Sequence, residues 1–403
     1  MRKNVLMSYA RAVTVLGLCL ALPAMAADPQ AVEDPTTPDQ GVWISLGSDA
    51  FGHLEDRSDL GFDHRPLKVV AEDGDGVVTR VRLGDLEKIS SLLHDSHHRC
   101  PGFIVHDSLD EATEAVEQAR LNHLKASLVS YTIDQQTLVQ SLEPLVNASN
   151  ILSTIDHLSN NYNNRYYVHP SGVDSAVWIR DLWQGYASGR SDVTVELYNH
   201  SGYSQPSVIL TIDGAGTPDE VVVLGGHLDS VAPGSSSPSF IAPGADDNAS
   251  GIATLSEVIR ILLSQGFVPD RTVKFMGYAA EEVGLRGSGD IAAAHQSAGT
   301  DVVAVLQFDM TAFNGSSQDF GLLQDYTNAD LTTFVGQLID TYQPSLSWAG
   351  TNCGYGCSDH ASWHNRGFPA VMPFEAVFGD HNNQIHTTND TISTFGGDAD
   401  HSY

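Results

Sequence analysis

The sequence is poor in positive charge. Its 403 residues hold 20 Lys plus Arg against 50 Asp plus Glu, a formal net charge of −30. Nucleic acid and anionic membrane surfaces both need a basic patch, so this deficit argues against either as a partner. A long hydrophobic run is also missing: the apolar stretch Ala12 to Leu22 falls far short of the roughly 20 residues that span a bilayer. Cysteine is scarce, with four in the chain, and no internal repeat is visible. Against these absences stands a composition that is 41% hydrophobic, enough to bury the core of one large domain or two smaller ones.

The amino terminus reads as an export signal. Arg2, Lys3 and Arg11 flank the apolar stretch, and Ala24-Met25-Ala26 supplies small residues for cleavage after Ala26. Residues 1–26 are therefore expected to be a signal peptide and the protein to be secreted, to the periplasm or beyond. In that oxidising setting Cys353 and Cys357 are expected to pair as a disulfide, leaving Cys100 odd. Half of a structural zinc site is the competing reading of the pair, but no second Cys pair exists to complete it.

Residues 27–126 carry weak strand signals at Val42 to Leu46, Leu67 to Val70 and Val77 to Leu83, then a helical stretch from Leu109 to Lys125. The group His94, His97, His98 and Cys100 has no carboxylate at helical spacing and reads as a solvated polar turn. This segment is expected to be a prosegment removed after export. From Ser127 the pattern becomes regular. Helices are predicted around Ile151 to Leu158, Val173 to Trp183, Ala249 to Ser264, Ala329 to Tyr342 and Ser358 to Asn365. Strands are predicted at Val193 to Leu197, Val208 to Ile212, Val221 to Leu224, Val273 to Tyr278 and Val302 to Phe308. The alternation predicts an α/β fold with a central mixed, mainly parallel sheet flanked by helices on both faces, and function at strand ends.

Five positions at or after predicted strands carry metal-ligand chemistry. His227 ends Val-Val-Val-Leu-Gly-Gly-His, and Asp229, two residues on and so on the same strand face, is placed to accept its ring N–H. Asp246 and Asp247 precede a helix, where capping is the plain alternative. Glu281 and Glu282 follow an apolar strand; one of such a pair can bind metal while the other carries a proton. Asp309 ends a further apolar run, and His386 lies in Gln-Ile-His-Thr-Thr-Asn-Asp. Together His227, Asp247, Glu282, Asp309 and His386 offer two imidazoles and three carboxylates. With a bridging hydroxide, these charges neutralise two Zn²⁺.

These motifs, with Thr351-Asn-Cys-Gly-Tyr-Gly-Cys-Ser-Asp-His-Ala-Ser-Trp-His364, resemble the bacterial leucyl aminopeptidase family of secreted di-zinc exopeptidases over roughly residues 138–393. The resemblance implies a zinc-exopeptidase catalytic domain over 127–403 and peptides with a free amino terminus as substrates. It implies Asp247 as the bridging ligand, a cis bond at Asp247-Asn248, Glu281 as general base, and a monomer. By family position and residue type, Met310, Leu323, Tyr355, Met372, Phe374, Phe378 and Ile385 would line an apolar recess for a Leu-like first side chain. His360 and His364 imitate a metal pair, but Ala361 stands where His-Glu-x-x-His needs its Glu. The resemblance also implies a further helix after the stretch Ile385 to Phe395; the sequence stops at Tyr403, so either it is a fragment or this member does without that helix.

Three rivals share the fold. A one-zinc glutaminyl cyclase fits the five complete ligand positions less well, and a catalytically dead binding module has no reason to keep ligands and base together. A carboxypeptidase or dipeptidase would need a cation for the substrate carboxylate, and no Lys or Arg lies between Arg286 and Arg366.

Overall fold

A computed structural model describes residues 40–402, apart from 56, 58–59, 61–67, 71–75, 98–100 and 123–129. The expected signal peptide, with Cys19, and the residues His98 and Cys100 lie outside the described residues. Residues 35–403 form one compact unit. No helix of the described residues is long and apolar enough to cross a membrane.

The amino-terminal part is more ordered than its weak strand signals suggest. β1 (Gly41–Gly47), α1 (Ser48–Glu55), β2 (Lys68–Val70), β3 (Gly76–Arg82), α2 (Leu86–His97), β4 (Phe103–His106) and α3 (Leu109–Asn122) build a lobe around an antiparallel sheet ordered β2-β3-β1-β4. In α2, Leu86, Ile89 and Leu93 recur at helical spacing and are fully buried, which sets the helix against the sheet. Sequence reasoning missed α1, α2 and β4. It also misjudged His94: far from lying in a solvated turn, this residue sits on α2 and is buried.

The main body follows as α4 (Gln136–Leu142), α5 (Ala148–Asn160), α6 (Pro170–Tyr186), β5 (Val193–Tyr198), β6 (Ser207–Ile212), β7 (Thr217–His227), α7 (Gly251–Ser264), β8 (Arg271–Tyr278), α8 (Arg286–Ala298), β9 (Asp301–Gln307), β10 (Phe320–Leu323), α9 (Ala329–Tyr342), β11 (Trp348–Thr351), α10 (His360–Asn365), β12 (Ala370–Val371) and β13 (Pro373–Phe374). Local chemistry marks several boundaries. Asn147 caps α5 by accepting the Ser149 amide, Pro170 opens α6, and Asn328 caps α9 through Leu331.

The central sheet runs β12-β9-β7-β8-β6-β5, parallel from β12 to β8 and antiparallel at β6 and β5. Period-two alternation decides which helices cover which face. Val208, Leu210 and Ile212 of β6 pack with Ile155, Trp183 and Ile259 from α5, α6 and α7. Ile209, Met276 and Val305 face the other way, toward Ile291 of α8 and Trp363 of α10. A second sheet, β11-β10-β13, stands beside the first.

One buried histidine gives the lobe a pH signature. His106 ends β4 with its Nε2 2.8 Å from Ser45 Oγ, and burial, aided by the Arg366 guanidinium, pushes its pKa from 6.5 down to about 3. A folded pKa below the unfolded one means that this histidine's contribution is complete above pH 6.5 and is lost as pH falls toward 3. Thermal midpoints measured across that window should fall less steeply in His106→Gln than in the parent protein.

Candidate active site

Three neighbouring parallel strands end in candidate residues. His227 is the last residue of β7, Glu281 and Glu282 follow β8, and Asp309 follows β9. The register pairs His227 with Tyr278 and Gly225 with Gln307, so all three loops leave the same carboxyl edge, where open α/β sheets bind their ligands. Asp247 arrives from the turn Ala245–Ser250, in which Asp247 and Asn248 leave the helical conformation and the bond between them is cis. The Asn248 side chain pins this turn to the Asp309 loop, donating to Phe308 O at 2.9 Å and accepting from Met310 N at 3.1 Å. Gly251 is required by that closeness: a Cβ there would lie 2.3 Å from Phe308 O. His386 sits at φ 55° and Ala280 at φ 56°, left-handed conformations that non-glycine residues hold only when their surroundings impose them.

The five predicted ligands converge as two groups that share Asp247. His227 Nε2 lies 3.0 Å from Asp247 Oδ1 and 3.3 Å from Asp309 Oδ1; His386 Nε2 lies 3.2 Å from Asp247 Oδ2 and 2.6 Å from Glu282 Oε2. In each group, three candidate ligand atoms lie within 4.8 Å of one another. Each oxygen of the Asp247 carboxylate thus faces a different group, which is the arrangement a bridging ligand needs.

The electrostatics call for cations. Asp229, Asp246, Asp247, Asp309, Asp359, Glu281, Glu282, Glu375 and Asp390 are all buried here, and among the described residues the Lys or Arg buried with them is Arg165. Its guanidinium is spent on the carbonyls of Leu158, Leu228, Pro243 and Gly244. Burial pushes the Glu282 carboxyl up to about 7 and the Glu281 carboxyl well above its ordinary value. Burial also pushes Asp247 up, but hydrogen bonds from His227 and His386 outweigh it and hold the group below its usual range. Both Glu281 oxygens and Asp309 Oδ1 are buried without hydrogen-bond partners. Buried carboxylates in this number are stable as anions only when compensated, and divalent cations held by hard oxygen and imidazole donors fit that need.

Asp229 does more than the two-residue spacing suggested. Its carboxylate approaches His227 Nδ1 at 3.4 Å, while its own backbone carbonyl lies nearer to that nitrogen, at 3.2 Å. The carboxylate accepts the amides of Glu281 at 3.0 Å and Glu282 at 3.1 Å. Ser207 Oγ and Gln205 Oε1 accept the two amides before them, Ala279 and Ala280, so four successive N–H groups of this loop end on side chains. Asp229→Asn should therefore weaken metal affinity by about 10- to 100-fold and also lower kcat at saturating metal. Titrating zinc into the metal-stripped variant while recording turnover separates the two effects.

The seven apolar residues singled out from the sequence line one recess, which opens on Asp247 and Asp309 and also includes His381 and Cys357. The Cys353–Cys357 disulfide is formed, and its loop places Tyr355 in the wall. His360 and His364 belong to neither ligand group; His360 is fully buried near Asp325 O, and burial pushes its pKa down to about 3. Sequence reasoning missed Arg165, and it missed Asp390, whose carboxylate accepts the amides of Asp246 and Asp247.

The family profile for peptidase family M28 matches residues 207–402. A probable leucine aminopeptidase of Trichophyton verrucosum is 38% identical over 264 residues, which are 64% of this chain and 71% of that protein. Among solved structures, the LapA aminopeptidase of Legionella pneumophila superposes with a TM-score of 0.75 at 27% identity, covering 90% of this chain and 94% of that one. A glutaminyl cyclase of Porphyromonas gingivalis superposes with a TM-score of 0.51 at 16% identity over 62% of this chain and 92% of its own, a likeness of fold alone. These relatives are fungal as well as bacterial. Taken with the converging strand ends, they establish that the chain belongs to peptidase family M28.

Proposed function

We propose that this M28 peptidase is a secreted aminopeptidase that hydrolyses the first, hydrophobic and Leu-like, residue from peptides with a free amino terminus. It works with two zinc ions, one held by His227, Asp247 and Asp309 and the other by Asp247, Glu282 and His386. The observation that carries this reading is the pair of ligand groups sharing one carboxylate, set against an apolar recess. Zinc, when bound, polarises the scissile carbonyl and makes water a nucleophile near neutral pH. Glu281 is the general base: its carboxylate is not in either ligand group, so it is free to take a proton from the attacking water and return it to the departing amine. Met310, Leu323, Tyr355, Met372, Phe374, Phe378 and Ile385 receive the first side chain. Burying an unpaired charge there would cost several kcal/mol, so acidic and basic residues are rejected.

The lack of Lys or Arg between Arg286 and Arg366 supports recognition of an amino rather than a carboxyl terminus. The same reading takes residues 1–26 as the export signal, 27–126 as a prosegment and 127–403 as the catalytic domain, acting as a monomer. The decisive assay sets a Leu-peptide beside its N-acetylated twin and beside Asp- and Lys-led analogues. Release of leucine from the free peptide alone is expected; equal cleavage of the acetylated twin removes the exopeptidase reading, and a preference for a charged first residue removes the recess assignment.

A further inference from the structure

A chain of hydrogen bonds runs from the surface to the loop that carries Glu281 and Glu282. It starts at Asp290 on α8, whose side chain is 39% exposed. Asp290 Oδ2 lies 2.6 Å from Nδ1 of His200, which follows β5 and whose ring is wholly buried. His200 Nε2 lies 2.7 Å from Oγ of Ser207, the first residue of β6, and that oxygen accepts the Ala279 amide at 3.0 Å. The order is that of a nucleophilic triad, but Ser207 is fully buried and its oxygen is engaged by an amide, so no substrate reaches it. The contacts fix the direction of each bond. The Ala279 N–H can only donate, so the Ser207 hydroxyl proton is left for His200 Nε2, and the Asp290 carboxylate holds the ring proton on Nδ1. Ala279 opens the turn into Glu281. Ala280 follows at φ 56°, a conformation a non-glycine residue keeps only while its neighbours impose it. Here they do so from both sides: the carbonyls of Ala279 and Ala280 accept the Gly287 and Arg286 amides at 3.0 and 3.1 Å, and their own amides end on Ser207 and Gln205.

We propose that His200 is a positioning residue for the reaction: with Asp290 it orients the Ser207 hydroxyl, and through Ser207 it holds the turn that aims Glu281. The inference rests on the aminopeptidase reading for the reaction that is served, whereas the clamp on Ala279 has a readout that needs no substrate. The groups that face the imidazole are Asp290 from α8, Tyr198 from β5, Ser207 from β6 and Tyr203, whose ring stacks on it with centroids 5.0 Å apart and planes at 15°. The Arg286 guanidinium lies over that Tyr203 ring, 4.6 Å from its centroid. Protonating the imidazole makes Nε2 a donor and turns the Ser207 bond round, which leaves the hydroxyl proton without its acceptor and slackens the hold on Ala279.

The experiment uses the full chain loaded with zinc and compares His200→Phe, which keeps a ring against Tyr203 but removes the acceptor, with His200→Gln, whose amide oxygen can take the Ser207 proton. Exchange of the Ala279 amide proton, zinc content, and kcat and KM on Leu-p-nitroanilide are recorded, the kinetic constants as a function of pH. His200→Phe should quicken exchange and lower kcat several-fold. Its KM and zinc content should hold, because His200 does not line the recess and the Glu281 and Glu282 amides remain on Asp229. His200→Gln should restore most of the lost kcat and of the protection at Ala279. The ratio of the parent's kcat to that of His200→Gln should fall as pH is lowered, since glutamine cannot take up the proton that turns the Ser207 bond round. Unchanged exchange and kcat in His200→Phe would refute the proposal. Equal loss of kcat in both variants, with a higher KM and less zinc, would also overturn it by reducing His200 to ordinary packing, and a ratio indifferent to pH would overturn the bond direction on which it depends. Faster exchange in His200→Phe, reversed in His200→Gln, with no turnover in any variant, parent included, would leave the clamp standing and sink the aminopeptidase reading.

Discussion

Glu281→Gln is expected to retain two zinc ions per chain while kcat falls by at least the roughly 10²- to 10⁴-fold typical of a lost acid–base group. The substitution keeps the shape of the side chain and removes its capacity to carry a proton. The loop itself should not move, because Glu281 is held through its backbone amide by Asp229 and its two carboxylate oxygens make no hydrogen bond to protein. KM should change little, because the role proposed for this carboxylate is on the attacking water, and Glu281 is not among the residues that line the recess. Glu282→Gln is the control, since Glu282 Oε2 lies 2.6 Å from His386 Nε2 within a ligand group. That variant should lose metal. Metal content by mass spectrometry, read beside steady-state rates, decides the matter: if Glu281→Gln loses zinc and Glu282→Gln keeps both ions, the roles of the pair are reversed.

Asp247→Ala should do the most damage of any single change, abolishing binding at both metal positions and taking activity to the limit of detection. His227→Ala removes a ligand from one group, whereas Asp247 belongs to both. The expected stoichiometries are therefore near zero for Asp247→Ala and near one for His227→Ala. One zinc retained in Asp247→Ala would show that the two positions are held independently.

Much of the site was legible because its residues sit where apolar strands stop. Val221 to Leu224 and Val302 to Phe308 announce β7 and β9 by composition, and β6 and β8 by the same token, so the positions just after them were natural places to look. The elements that escaped notice are those whose identity depends on partners distant in the chain. β12 and β13 are two residues each and exist only through pairing with β9 and β10. Arg165 stands in the polar stretch Asn163-Asn164-Arg165, where nothing local says that four carbonyls will close around it. Asp229 was read through strand alternation, but β7 stops at His227, so the chain turns and the carboxylate meets the amides after β8. His94 could be placed only once the lobe had folded onto His386.

The division of labour between the two sheets has a consequence for how such an enzyme can diversify. The ligands and Glu281 are registered by the β9-β7-β8 ladder, whereas much of the recess wall comes from or adjoins β10, β11 and β13: Leu323, Tyr355, Met372 and Phe374. If the recess receives the first side chain as proposed, substitutions or loop-length changes around the smaller sheet should retune which side chain is accepted while the ladder keeps the proposed reacting groups in register. A library confined to residues 320–324, 351–357 and 372–378 should therefore shift side-chain preference while leaving metal content unchanged.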